Sequence, residues 1–331
     1  MAERLPDQPV AAIDCGTNAI RLLVACVDTQ GVLHELRREL RIVRLGEGVD
    51  ATGSFSAAAL ERTFDACAEY AEIIAGLDAD RLRFVATSAS RDVSNRDDFV
   101  AGVRDRLDVL PEVISGSEEA ELSFLGAVRG LSDIPARPVL VVDIGGGSTE
   151  FILGVDSGRL VGPDRSISVD IGCVRMTERH LHDDPPTVEQ VHRVEQDVAA
   201  ALDLVQSRVS ISEAASMVGL AGTVTTMAAM ALGLDAYDPA RIHGSTLTAL
   251  QVDQVSESLV RMTRAERARL PFMHPGRVDV IAGGALILRD IVHRSGISEV
   301  IVSECDLLDG IVYQLAAPTD SSLQKGTRGN S

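Results

Sequence analysis

The chain has 331 residues, enough for two domains of ordinary size, and its 45% hydrophobic content is that of a soluble globular protein. Its formal charge of −18 disfavours a general nucleic-acid binder, because affinity for duplexes rests on Lys and Arg neutralising phosphates. The longest apolar runs, such as Val139–Val142 and Met227–Leu232, fall far short of the roughly 20 residues a membrane helix needs, and Met-Ala-Glu-Arg-Leu-Pro-Asp is no signal region, so a cytoplasmic location is expected.

In chain order, Pro9-Val10-Ala11-Ala12-Ile13-Asp14-Cys15-Gly16-Thr17-Asn18 leads into an apolar segment, Ile20 to Val27, and a polar turn at Asp28–Gly31. This predicts strand, tight glycine turn, strand. After Arg41–Gly48 a helix is expected over about Ser56–Ala75, then strand material at Leu82, Phe84 and Val85. Asn95–Leu107 reads as helix, Glu112–Ile114 as a short strand, and about Glu118–Arg129 as a helix. Pro135-Ala-Arg-Pro138 marks a joint, and the opening phrase then returns. Pro138-Val139-Leu140-Val141-Val142-Asp143-Ile144-Gly145-Gly146-Gly147-Ser148-Thr149 repeats proline, apolar run, Asp and Gly at one offset of 129 residues (Asp14 to Asp143). A second apolar segment, Phe151 to Val155, and the turn Asp156-Ser157-Gly158 complete the second hairpin.

Beyond a Pro-rich turn at Asp183–Pro186, helices are predicted over about Thr187–Val209, Thr223–Leu232, Ala249–Met262, Val278–Ser295 and Asp306–Leu315, with strands at Ser216–Leu220 and Val300–Val302. The Thr-, Ser-, Gly- and Asn-containing tail after Pro318 is expected to be disordered. Strands alternating with helices in two similar halves imply an α/β chain with a cleft between two domains.

The paired turns carry the chemistry. Glycines let backbone N–H groups approach a phosphate closely, and the flanking carboxylates Asp14 and Asp143 can hold Mg²⁺ directly or through water. Gly16, Thr17 and Asn18 in one turn and Gly145, Gly146, Gly147 and Ser148 in the other are therefore the candidate phosphate contacts. Arg91, closing Thr87-Ser88-Ala89-Ser90-Arg91, is a candidate bidentate clamp. In Ile114-Ser115-Gly116-Ser117-Glu118-Glu119-Ala120, a serine capping the next helix explains both acids structurally; alternatively, one of them is a general base. A helix N-terminus lowers such an acid's pKa and nearby phosphates raise it, which leaves an ionised base available at neutral pH. Gly219-Leu-Ala-Gly222-Thr223 opens a helix and offers another anion seat or a close helix–strand contact.

Other chemistries are disfavoured. Five scattered cysteines without Cys-x-x-Cys indicate reduced thiols, and seven scattered histidines lack metal-site spacing. Lys325 is the only lysine, which removes P-loop ATPase and protein kinase readings.

Together these residues resemble the exopolyphosphatase / guanosine pentaphosphate phosphohydrolase (Ppx/GppA) family, in its short, two-domain branch, within the actin-like ATPase-domain (ASKHA) superfamily. The ordered matches include the Asp14–Asn18 turn with Arg21, Val43–Gly48, Ala86–Arg91, Ile114–Ala120, Asp143–Glu150, Gly172-Cys-Val-Arg175, Gly219–Thr223, Arg277-Val-Asp279 with Gly283-Gly284, and Ser303–Gly310. Ala19 departs from the usual Ser or Thr, and Ser303–Gly310 lacks the family's Gly and Arg. The resemblance implies two actin-like (ribonuclease H-like) domains, residues 1–133 and 134–305, with a closing helix about 306–316 returning to the first and a tail over 317–331. It implies Glu119 as the base, Asp143 and Glu150, with Asp14, around Mg²⁺ or Mn²⁺, and release of orthophosphate from the end of short inorganic polyphosphate. A guanosine pentaphosphate 5′-phosphohydrolase, binding guanosine penta- or tetraphosphate, is the alternative substrate reading, although the absence of Trp and only three Tyr leave few residues for a base pocket. A kinase or chaperone-like ATPase of the superfamily, and a non-catalytic sensor of polyphosphate or alarmone, are alternatives of other classes. A homodimer is expected by analogy alone.

Overall fold

A computed structural model describes residues 8–91, 93–131, 137–156, 159–160 and 165–317. Pro135 and Ala136 of the expected joint, Ser157 and Gly158 of the second polar turn, and the tail from residue 318 lie outside the described residues. The first half contains β1 (Val10–Cys15), β2 (Ala19–Val27), β3 (Leu33–Ile42), α1 (Val49–Thr52), α2 (Ala57–Gly76), β4 (Arg81–Ala86), α3 (Arg96–Leu107), β5 (Glu112–Val113) and α4 (Gly116–Gly130). The second contains β6 (Val139–Ile144), β7 (Thr149–Asp156), β8 (Arg159–Leu160), β9 (Ser166–Val169), α5 (Cys173–His180), α6 (Val188–Val209), β10 (Ser216–Leu220), α7 (Ala221–Ala231), α8 (Pro239–Ile242), β11 (Thr246–Thr248), α9 (Ala249–Arg261), α10 (Arg264–Arg267), α11 (Ile281–Ser295) and β12 (Glu299–Val302). A last helix, α12 (Leu307–Ala316), follows.

The sequence repeat is a topological repeat. One sheet runs β3-β2-β1-β4-β5, with β1, β2 and β3 antiparallel and β4 and β5 parallel to β1. The other contains the same pattern as β9-β7-β6-β10-β12, extended by β8 and β11. This is the actin-like, two-sheet α/β architecture. β1 and β6, central and apolar except for Asp14 and Asp143, are buried along their whole length, as strands covered on both faces must be.

Two elements tie the halves together. In α4, Ala120, Phe124 and Ala127 recur at helical spacing and pack on Val139, Val141, Ile152 and Val218 of the second sheet. Its other side puts Leu122 among Val10, Ala12, Leu23 and the α12 residues Leu308, Ile311 and Val312. Helix α12 thus lies against β1 and β2, far back in the sequence. The backbones leave no room for a side chain where the two helices cross: a Cβ on Gly126 would meet the Asp306 carbonyl, and one on Gly310 the Leu122 carbonyl.

The edge strand β3, helix α5 and the strands β9 and β11 were not expected from the sequence. In β3, Leu33–Ile42, charged residues occupy half the positions and no residue is fully buried, so the apolar alternation of a half-buried strand is missing. The helix expected from Val278 starts at Ile281, after a 3₁₀ turn at Pro275–Arg277.

Candidate active site

The two hairpins meet turn to turn. Thr17 Oγ1 and Ser88 Oγ share a hydrogen bond of 3.0 Å, and a Cβ added to Gly146 would lie 2.9 Å from Thr17 Cβ and 3.4 Å from the Asn18 nitrogen. Between them is a cavity of about 140 Å³ lined by Asp14, Gly16, Thr17, Asn18, Arg21, Ser88, Glu119, Asp143, Gly145, Gly146 and Ser148, among others. Nine of the twelve residues expected at the site therefore share one cavity wall. Ala221, Gly222 and Thr223 line it too, which brings the third glycine-rich segment to the same place.

The other three stand just behind the wall. Gly147 abuts Thr17 and Ser88, where a Cβ would come within 2.7 Å of both hydroxyls. Glu150, on β7 opposite Asp143 on β6, is almost wholly buried and accepts hydrogen bonds from Ser148 Oγ and Ser168 Oγ, each at 2.7 Å. Arg91, expected to meet phosphate directly, instead donates to the Ile114 carbonyl at 3.1 Å and to the Glu119 carboxylate. Its guanidinium is spent on holding Glu119 in this structure.

The structure separates the two adjacent acids at the start of α4. Ser115 caps the helix by accepting from the Glu118 N–H at 3.2 Å, as the cap reading required. Glu118 is half-exposed and pairs with Arg83 at 2.7 Å, away from the cavity. Glu119 is one position on, buried, and faces the cavity. Burial first, then the neighbouring Glu150, push its pKa well above the ordinary carboxylate range, and Arg91 pulls it back. The balance weighed from sequence, helix terminus against phosphate, omitted these larger effects.

The charge pattern of the two hairpins is reversed at one matched position. Arg21 and Glu150 are related by the same offset as Asp14 and Asp143, and each faces its aspartate across its hairpin. In the first hairpin Arg21 Nε donates to Asp14 at 3.0 Å, and the guanidinium also reaches Asp306, which caps α12. In the second, two acids oppose each other. Burial first and then surrounding acids raise Asp143 to about 6 and Glu150 to about 7. Arg21 and Asp306 were not singled out as site residues; the matched offset pointed to Arg21, whereas only the returning helix brings Asp306 near it.

A divalent cation suits this arrangement. Among the described residues no three His, Cys, Asp or Glu side chains form a ready-made metal cage. Mg²⁺ does not need one, because it keeps several waters and takes one or two carboxylates with substrate phosphate oxygens. Asp14 Oδ1 is buried without a hydrogen-bond partner, and the crowded acids have their charged forms disfavoured by burial. An orphaned carboxylate oxygen in so acidic a wall fits the chemistry of a cation ligand.

Comparison with known proteins finds relatives along nearly the whole chain. A model of the Ppx/GppA phosphatase family matches residues 23–318. The chain is 50% identical over 319 residues to Exopolyphosphatase 2 of Mycobacterium tuberculosis, which covers 93% of this chain and 98% of that protein. It superposes on the crystal structure of an exopolyphosphatase-like protein with a TM-score of 0.89 at 43% identity, covering 94% of this chain and 98% of the other. The Aquifex aeolicus member of the Ppx/GppA family gives 0.76 at 30% identity, covering 93% and 97%.

Proposed function

Because this chain belongs to the Ppx/GppA phosphatase family, we propose that it is an exopolyphosphatase that releases orthophosphate from the end of inorganic polyphosphate. The observation that carries the reading is the convergence of both glycine turns and Glu119 on one cavity. The terminal phosphoryl group sits between the turns, hydrogen-bonded by the backbone N–H groups of Gly146–Ser148 and of Asn18, while the Gly16 and Gly145 N–H groups close their own turns on the Ala19 and Ser148 carbonyls at 3.0 Å each. Glu119 accepts a proton from a water whose oxygen bonds to phosphorus as the bridging P–O bond breaks. The chain, shorter by one unit, keeps the bridging oxygen and its electron pair. A carboxylate whose pKa lies above the ordinary range is a stronger base than an ordinary one. Arg91 orients Glu119 and limits that rise. Asp143 and Glu150, with Asp14, would hold Mg²⁺ or Mn²⁺, which supplies charge neutralisation on the phosphoryl oxygens when bound. Positioning and electrostatics provide most of the rate, as in phosphoryl transfer generally.

Short chains are the preferred substrates in this reading, because a protein of formal charge −18 repels a long polyanion more strongly than a short one. One observation favours guanosine pentaphosphate as a second substrate. A side chamber shares Arg21, Gly222 and Arg277 with the cavity and is lined by Tyr237, one of the three tyrosines, whose ring lies 5.7 Å from the Arg277 guanidinium carbon. Timed phosphate release with Mg²⁺ from tripolyphosphate, long polyphosphate, guanosine pentaphosphate and ATP tests both readings. Release from tripolyphosphate at the highest kcat/KM is expected; release from none of the four overturns the hydrolase reading.

A further inference from the structure

Each phosphate turn is held from behind. The Gly145 carbonyl accepts from the Cys173 N–H at 3.0 Å, the Gly146 carbonyl from Val174 and Arg175 at 2.9 and 3.1 Å, and the Gly147 carbonyl from Arg175 Nε at 2.7 Å. All these donors belong to the start of α5. Gly172 allows the approach, since a Cβ there would strike the Gly146 carbonyl. Behind the first turn, the Thr17 carbonyl accepts from the Gly46 N–H at 2.8 Å and the Asn18 carbonyl from Val43 and Arg44 at 3.2 and 2.9 Å. In a planar trans peptide the N–H points opposite to the C=O. These bonds therefore aim the N–H groups of Gly146, Gly147 and Ser148, and those of Asn18 and Ala19, away from their backings.

The two backings are joined to each other. Asp50, in α1 just after the segment behind the first turn, accepts from Arg179 Nε and Nη2 at 2.6 and 2.8 Å and also pairs with Arg175. The Gly48 N–H adds a bond to Glu178 at 3.3 Å. One guanidinium, that of Arg175, thus grips the Gly147 carbonyl and an acid of the opposite half, a double task suited to a planar fork and not to an ammonium. Neither Asp50, Arg175 nor Arg179 lines the cavity.

We propose that Asp50 and Arg175 are positioning residues, a strut across the two halves that sets the spacing of the phosphate turns around a bound polyphosphate end. The proposal rests on the hydrolase reading for its kinetic consequence, though not for its structural one. An ordinary exposed ion pair would contribute little; here Asp50 is partly shielded, held by two nitrogens of Arg179, and tied through Arg175 to the Gly147 carbonyl of the second turn.

The test uses the full chain and the variants Asp50→Ala, Asp50→Glu and Arg179→Gln. Phosphate release from tripolyphosphate with Mg²⁺ and backbone hydrogen exchange, with and without tripolyphosphate, are measured for each. Asp50→Ala is expected to lower kcat/KM between about tenfold and about 100-fold, the scale of a small misplacement of binding groups, largely through KM. Exchange should quicken over residues 43–53 and 172–180 in the free protein and slow again when tripolyphosphate is added. Arg179→Gln should show the same pattern more weakly, and Asp50→Glu should recover most of the loss. Unchanged exchange and unchanged kcat/KM in Asp50→Ala overturn the strut, as does a lowered melting temperature with normal kcat/KM. If wild type releases no phosphate, the hydrolase reading fails while hydrogen exchange still decides whether the strut exists.

Discussion

Glu119 and Arg91 form a pair whose two members have opposite effects on the same proton. Replacing Glu119 by Gln removes the proposed base and should lower kcat by roughly 10²–10⁴-fold, the usual scale for general-base loss. It also removes a buried charge facing Glu150, so the melting temperature should hold or rise. Undiminished phosphate release in this variant would take Glu119 out of the mechanism. Arg91→Gln asks a different question. The guanidinium favours the ionised form of Glu119, so its loss should move the acid limb of the kcat/KM profile to higher pH. An unmoved limb would mean that another group controls that ionisation. The sequence showed two adjacent glutamates and a capping serine; which acid faces the cavity depends on where β9 and the second sheet lie around the first turn of α4.

At the scale of elements, the crossing of α4 and α12 links the proposed catalytic cavity to the last helix. Leu122 and Gly126 on one helix and Asp306 and Gly310 at the other approach backbone to backbone. Gly310→Val should cost about 1–3 kcal/mol by overpacking and, by shifting α4 and the Arg21–Asp306 contact, should also lower kcat/KM. Thr248→Ala offers the contrast. It deletes the capping box of α9, remote from the cavity, and should cost about 1 kcal/mol with kcat/KM unchanged. Denaturant melts and steady-state kinetics on the two variants separate stability from activity; equal kinetic losses would contradict this assignment of roles. Strongly periodic helices such as α2 and α6 were legible in the sequence because one face is buried along many turns. The short α5, despite bracing the second turn, was not: eight residues give too few turns for a periodic signal.

For the whole molecule, the acid cluster makes stability depend on protons and cations together. Asp143 and Glu150 bind protons at about 6 and about 7 in the folded chain, above their ordinary values of 3.8 and 4.5. The folded state therefore holds more protons than the unfolded state across that window. This stabilisation is complete below the ordinary carboxylate values and is lost as pH rises through about 6 to 7. Mg²⁺ competes with those protons, so its stabilising effect should be larger at pH 8 than at pH 5.5, approaching about 2.7 kcal/mol when its concentration is about 100 times Kd. Melting temperatures with Mg²⁺ and with a chelator, at both pH values, check this; an equal increment at the two would argue against cation binding by these acids.

The offset of 129 residues between Asp14 and Asp143 already pointed to two similar halves, each with a strand pair closed by a glycine turn, and to the proposal of a phosphate between the turns. Local chemistry was sufficient for that, because a hairpin and its turn are written in adjacent residues. What the linear pattern left open is how non-adjacent groups share one space. Folding set Arg21 against Asp14 but Glu150 against Asp143, brought Asp306 back from the far end of the chain, turned Arg91 onto Glu119, and braced both turns through Asp50 and Arg175. Burial then raised the acids' pKa values. Desolvation and long-range charge are properties of the packed interior, and no spacing along the chain encodes them.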